Sequence, residues 1–357
     1  MSDPVATPAP WLQAQLSTLL AQRGHAFLLS GPSGLGQYEL ALGLARAWLC
    51  EQPTAQGACG RCGSCHAVNV RTHPDLCVLL PETLSLQLGW PLDEKVQDDL
   101  DNKKRKPSKE IRVDAAREAV EFTQFTRSGG RTKVVMVYPA ERMNGITANT
   151  LLKTLEEPPG EVKFVLATEA AQQLLPTIRS RCQSHAMVWP AFDDALAWLS
   201  AACASQGLGG KQVQADDLRV LLAAAGGRPA DVLALLLQQT AKEAADRWRA
   251  LPQAVAQGQV AVLGDFSPPQ AVEALQKLCH DLWAVKVGAQ PRFFGLESLP
   301  SWPAAPARGA ARGPTLYSLG QWARELAASA RTAEHPYNPG LMLEALVSRA
   351  QLALRTT

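Results

Sequence analysis

Cys50, Cys59, Cys62 and Cys65 stand in the spacing C-x8-C-x2-C-x2-C, and the chemistry this allows is metal ligation. Thiolates hold Zn²⁺ tetrahedrally, and a C-x2-C step lets two sulfurs reach one ion without strain. Gly57, Gly60 and Gly63 lie among them and permit the tight turns that bring backbone amides close to sulfur. Four thiolates fill the shell of a zinc ion, so a metal held there is structural and has no open position for catalysis. His66 is surplus to that shell and reads as a surface residue. The competing reading is an incidental set of reduced thiols. Cys77, Cys203 and Cys279 are isolated and read as core or surface residues.

A second constellation is a phosphate loop without its tools. A working loop has the form G-x-x-x-x-G-K-[ST]: backbone amides cradle the phosphates, the lysine neutralises them and the hydroxyl holds Mg²⁺. Here the run is Gly31-Pro32-Ser33-Gly34-Leu35-Gly36-Gln37-Tyr38. The glycines Gly31, Gly34 and Gly36 are in place, but Gln37 replaces the lysine and Tyr38 the Ser/Thr. Losing a cation and a metal ligand together removes most of the electrostatic stabilisation of phosphoryl transfer. These eight residues alone also fit a glycine-rich turn with no nucleotide history. A second strand should end in the acidic pair that positions Mg²⁺ and water. The candidate, Val134 to Val137, continues into Tyr138-Pro139-Ala140, and Glu141 comes a few residues late.

The elements that must position these groups alternate. Ala26 to Ser30, Val78 to Leu80, Val134 to Val137 and Phe164 to Ala167 read as buried strands. Tyr38 to Leu49, Val113 to Phe125 and Asn149 to Leu155 carry apolar residues at helical spacing, which predicts a parallel α/β sheet for the first half. Pro81 to Lys109 is polar and mixed in charge and reads as an exposed, partly mobile insertion. Its basic run Lys103 to Lys106 is taken as a solvated loop before a DNA contact. Beyond about Trp189 strand signals vanish. Helices are expected over Leu218 to Leu237, broken at Gly226 to Pro229, and over Pro269 to Val287, Leu316 to Ala333 and Pro339 to Leu354, with a Pro/Gly-rich loop at Gln290 to Pro314. The expected plan is an α/β domain over 1–188, a small helical domain over 189–245 and a helical domain over 246–357.

Bulk composition excludes several classes. A formal charge of +2 does not announce a nucleic-acid binder, and any DNA contact must come from a local patch or a partner. No stretch approaches the roughly 20 apolar residues needed to cross a membrane. Met1 to Pro10 is a Pro/Ala-rich tail without the marks of a signal peptide, which predicts a cytoplasmic, reducing home.

Taken in order, these pieces resemble the AAA+ clamp-loader family of bacterial replication. The resemblance runs through the loop at Gly31, the cysteine module, Thr72-His73-Pro74-Asp75 and Ile111-Arg112-Val113-Asp114. It continues through Asn149-Thr150-Leu151-Leu152-Lys153-Thr154-Leu155-Glu156-Glu157-Pro158-Pro159, Ser180-Arg181-Cys182 and the C-terminal Asn338 to Glu344. It implies an AAA+ (P-loop NTPase-like) domain with an embedded zinc module, then a helical lid and an all-α collar. Motor subunits of that family have an intact loop and an Asp-Glu pair, and this chain has neither. Ala230 also falls where ATPase members carry a nucleotide-sensing arginine. The resemblance is therefore to the non-hydrolysing stator of the clamp loader that serves DNA polymerase III, in which ATP is not hydrolysed by the chain itself. Implied partners are the gamma/tau motor subunits, the delta subunit, the sliding clamp and, through the complex, primed DNA. In the family the S-R-C arginine is a finger that reaches ATP on the neighbouring subunit. Arg181 is therefore the leading functional residue, with Arg179 close enough to be confused with it. Glu156 to Pro159 imply a shaped helix end at a subunit boundary.

Two other readings stand beside this one. An active motor with unconventional residues is opposed by Gln37, Tyr38 and the missing acidic pair. A zinc-dependent DNA-binding module is opposed by the near-neutral charge and the lack of a basic, aromatic-rich surface signal.

Overall fold

The computed structural model describes residues 9–128, 131–208, 213–302, 313–333, 335 and 337–355. The Pro/Ala-rich tail lies outside these residues but for Ala9 and Pro10, and so does most of the second half of the Gln290 to Pro314 loop. The chain divides into two compact units, residues 1–190 and 191–357.

The first unit runs α1 (Pro10–Leu20), β1 (Ala26–Ser30), α2 (Gln37–Leu49), α3 (Gly63–Asn69), β2 (Leu76–Leu79), α4 (Glu82–Leu88) and α5 (Glu94–Asp101). It continues with α6 (Val113–Gln124), β3 (Lys133–Val137), α7 (Gly145–Glu156), β4 (Val162–Thr168), α8 (Pro176–Arg179) and β5 (Gln183–Ala186). The strands form one five-stranded sheet of order β2-β3-β4-β1-β5, parallel throughout. β1, β3 and β4 are apolar runs because both sheet faces are covered, as a parallel sheet requires. On one face Ala116 and Ala119 of α6 and Leu151 and Leu155 of α7 join Val135, Phe164 and Leu166 in a single cluster. Leu40, Ala41, Leu44 and Ala45 of α2 are buried as well. Ser30 is level with Thr168 on one side and Ala186 on the other, and Val137 is level with Leu166. The C-terminal strand ends thus line up where the glycine-rich loop leaves β1. Ligands of open α/β sheets bind at that edge.

The segment Pro81 to Lys109 is largely exposed but has internal order that its composition did not announce. It holds two helices, and Glu82, Ser85 and Trp90 are buried. The organising contact is ionic. Arg105 donates from Nη1 to Glu82 Oε2 at 2.6 Å and from Nη2 to Oε1 at 3.0 Å, and the Ser108 amide donates to Oε2 at 2.8 Å. One member of the basic run is therefore a structural partner, while Lys103, Lys104 and Lys106 stay exposed. Composition could not distinguish these cases, because what orders the segment is one fork-to-fork pair between residues 23 apart.

Burial alone would raise the Glu82 carboxyl, but the Arg105 bonds and the Ser108 amide outweigh it and hold the pKa below the usual range. A lowered folded pKa means stability that is full above the unfolded value of about 4.3 and is lost as pH falls through the folded one. Glu82→Gln should therefore cost about 2–3 kcal/mol at pH 7. Urea unfolding repeated at falling pH should show that difference shrink as Glu82 becomes protonated in the folded state.

The second unit is helical: α9 (Phe192–Ser205), α10 (Ala215–Ala224), α11 (Pro229–Leu236), α12 (Ala241–Gln257), α13 (Pro268–Lys286), α14 (Leu316–Thr332) and α15 (Pro339–Leu354). Among its described residues two hydrophobic clusters form. One joins Leu199, Leu218, Leu222, Val232 and Ala245, and the other joins Leu251, Val255, Leu275, Leu278, Trp322 and Val347. α12 contributes to both, so the boundary expected near residue 245 falls inside a helix. Among the described residues no helix is long and apolar enough to cross a membrane.

Candidate functional site

The loop after β1 turns as the sequence requires. Gly36 caps α2 with φ +92°, and a Cβ there would lie 2.7 Å from Leu12 Cδ1, so only glycine fits without strain. The next residue decides what the loop can do. Gln37 is 2% exposed, and its Nε2 donates to the carbonyls of Gly31 and Pro32, both at 2.6 Å. In a working loop the side chain at this position points a cation at the phosphates. Here a neutral amide is folded back onto the loop's own backbone and closes it.

Tyr38 stands where a hydroxyl would hold Mg²⁺. Its oxygen accepts from Trp90 Nε1 at 2.7 Å, and its ring lies 5.5 Å from that of Tyr138 at the end of β3. Tyr138 in turn donates to Glu169 Oε1 at 2.8 Å, and burial followed by the nearby Glu169 pushes its phenol well above the usual range. Aromatic rings thus stand at position 38, where a working loop carries its hydroxyl, and at position 138, where the strand end would carry an acidic residue. Glu141 does not supply the missing carboxylate. Its Oε2 accepts from Thr168 Oγ1 at 2.6 Å and its Oε1 from the Glu169 amide at 3.1 Å, which commits it to the end of β4.

The four cysteines converge. Their sulfurs lie within 4.8 Å of one another, with Cys50 and Cys62 3.9 Å apart and Cys59 and Cys65 4.0 Å apart. A tetrahedral ion with bonds of about 2.3 Å needs sulfurs roughly 3.8 Å apart, so the set fits a metal ion. The amides of Cys59 and Cys65 donate to Cys50 Sγ and Cys62 Sγ at 3.3 and 3.4 Å. Such bonds orient and stabilise thiolates. The Arg61 amide holds the Cys59 thiol down to about 6, while burial pushes Cys65 up to about 12. His66 is exposed and outside the cluster, and Cys77, Cys203 and Cys279 are separate from it.

Arg181 follows α8 and is partly exposed. It donates from Nε and Nη2 to Glu156 Oε2 at 3.0 and 2.7 Å, and from Nη1 to the Thr177 carbonyl at 3.1 Å. Cys182 beside it is buried in the sheet cluster and anchors the turn. Arg179 is exposed. In the second unit Ala230 lies two residues beyond Arg228. Arg228 pairs with Asp231 at 3.1 Å and with Glu273 of α13 at 2.9 Å, so the charge on this turn is committed to a neighbouring helix. Trp90, Glu169 and Arg228 were missed because each acts through a partner distant in sequence.

Residues 11–188 match the family model described as DNA polymerase III, delta subunit. A Pseudomonas aeruginosa protein named DNA polymerase III subunit delta′ is 40% identical over 222 residues, 62% of this chain and 58% of that protein. The Escherichia coli K12 protein of the same name is 36% identical over 232 residues, 63% and 60% of the respective chains. The chain thus spans less than two thirds of the length of these relatives. A crystal structure of a gamma subunit-related protein from Thermotoga maritima aligns over 96% of this chain and 99% of that one, at 16% identity and a TM-score of 0.47. The parallel sheet with its glycine-rich turn after β1 is a P-loop-like α/β arrangement. Over residues 11–188 the chain belongs to the DNA polymerase III delta-subunit family.

Proposed function

We propose that this chain is the non-hydrolysing, δ′-type stator of a DNA polymerase III clamp loader, one that helps place a sliding clamp on primed DNA. The observation that carries the reading is Gln37, whose amide closes the phosphate loop on itself at Gly31 and Pro32. Tyr38 and Tyr138 support it by standing at the positions of the hydroxyl and of an acidic residue. The chain contributes to ATP hydrolysis only through a neighbour, by offering Arg181 as a finger to ATP bound on an adjoining motor subunit. Arginine suits that role because its planar, permanently charged fork stabilises charge on a transferring phosphoryl group.

The remaining assignments follow from the same reading. Cys50, Cys59, Cys62 and Cys65 hold a structural Zn²⁺ that supplies no chemistry to the reaction. The helices over 189–245 serve as a lid and those over 246–357 as an oligomerisation collar. The partners are gamma/tau motor subunits, the delta subunit and the clamp, with primed DNA met through the complex in the cytoplasm.

The test has two parts. Purified chain, free of contaminating ATPases, should show background ATP hydrolysis only; robust turnover would restore the motor reading. Affinity-tagged motor subunits should recover the chain in a stable complex, and a failure to associate would remove the stator assignment.

A further inference from the structure

A carboxylate at the C-terminal end of a helix opposes the partial negative charge of the last turn. α7 nevertheless ends on Glu156, with Glu157 as its C-cap. Glu156 is 58% exposed and Arg181 29% exposed, and a pair so open to water adds little to stability. What the contact does is place a side chain. Glu156 Oε2 takes the Nε and Nη2 protons along one side edge of the guanidinium. The Thr177 carbonyl takes one proton of Nη1. That leaves one proton on each terminal nitrogen without an acceptor among the described residues. Those protons are left to meet a phosphate or carboxylate.

We propose that Glu156 is a positioning residue for Arg181. It holds the arginine by its Nε/Nη2 edge and presents the remaining terminal-nitrogen protons to the phosphoryl group of a nucleotide on the adjoining subunit. The proposal rests on the reading of Arg181 as a trans-acting finger. A long side chain restrained at two points before the nucleotide arrives loses less freedom in the transition state, and that difference appears in the rate of the chemical step. Arg179, two residues away and exposed, has no such holder among the described residues. The carboxylate thus also distinguishes which of the two arginines serves.

The test uses the reconstituted loader with the full chain as wild type, Arg181→Ala, Glu156→Ala, Glu156→Asp and the Glu156→Ala/Arg181→Ala double variant. Glu156→Ala should lower kcat for ATP hydrolysis at the adjoining site by about tenfold, with KM for ATP and the yield of complex unchanged. Glu156→Asp should recover part of the loss, and the double variant should be no slower than Arg181→Ala alone. A helix-end role without positioning would change the yield of complex and leave kcat per complex alone, which would overturn the proposal. If Arg181→Ala slows the complex and Glu156→Ala does not, the finger stands and Glu156 as its holder falls. A faster Glu156→Ala complex would show that the carboxylate restrains the arginine, and would likewise overturn it. No effect of Arg181→Ala would remove both readings. Should Glu156→Ala weaken assembly, the near-isosteric Glu156→Gln provides a readout independent of it. Exchange of the Arg181 Nε proton, followed by NMR in the isolated chain, should be slower than that of Arg179 and should quicken in Glu156→Gln. Equal exchange in the wild-type chain would count against the proposal.

Discussion

Replacing Arg181 by alanine is expected, from its proposed role as a finger, to slow ATP hydrolysis at a neighbouring motor site by on the order of 10³-fold. The magnitude follows from the position of the charge. A guanidinium supplied in trans meets negative charge only as the phosphoryl group transfers, so its loss raises the barrier more than it weakens nucleotide binding. KM for ATP should therefore change little. Turnover of the whole complex should fall only by the share that this site carries, so single-turnover measurements will show the effect more sharply than steady-state ones. The fold should not suffer, because the Arg181–Glu156 pair is exposed and worth at most about 1 kcal/mol. An unchanged single-turnover rate in a correctly assembled complex would refute the finger assignment, and the same measurement on Arg179→Ala would show whether the neighbouring arginine had been mistaken for it.

Metal removal is expected to have the second large effect. Structural zinc in small modules contributes about 10–16 kcal/mol of apparent binding energy at neutral pH. Little else is available to fold residues 50–65: only Thr54 and Gly57 form a β-bridge there, and most of the segment is exposed. Elemental analysis should find one zinc per chain, and Cys59→Ser should release it. The surrounding sheet has its own apolar core, so the domain should survive with a melting temperature lower by on the order of 10 °C. Metal-free protein with an unchanged melting temperature would rule the metal module out.

What could be read in the sequence depended on how far each determinant reaches. β1, β3 and β4 were legible because burial on both faces leaves each an unbroken apolar run. β5 was not, since Gln183-Ser184-His185-Ala186 is a polar edge strand whose only hydrogen-bonded neighbour is β1. The cysteine cluster was legible because ligand spacing is a local property. The empty lysine position was equally plain, but where the Gln37 amide goes was not. Trp90 donates to Tyr38 across 52 residues of sequence, and Arg181 meets Glu156 across 25. No local pattern encodes either meeting. The same limit applies to Pro81 to Lys109, a largely exposed segment whose composition gave no sign of the buried Glu82.

On the proposed reading, the Tyr38–Trp90 contact also bears on what fitting a working phosphate loop into this chain would require. Threonine at position 38 would leave the indole N–H of a buried tryptophan without its acceptor, at about 1–3 kcal/mol, and open a void where the ring had been. Lysine at position 37 would abandon two bonds to the loop carbonyls and bring a charge into a closed turn. Neither step restores activity by itself, because Tyr138 still stands where the acidic pair belongs. On the proposed stator reading, each of these two substitutions therefore lowers stability before it meets any catalytic gain, and the packing around Tyr38 acts as a ratchet.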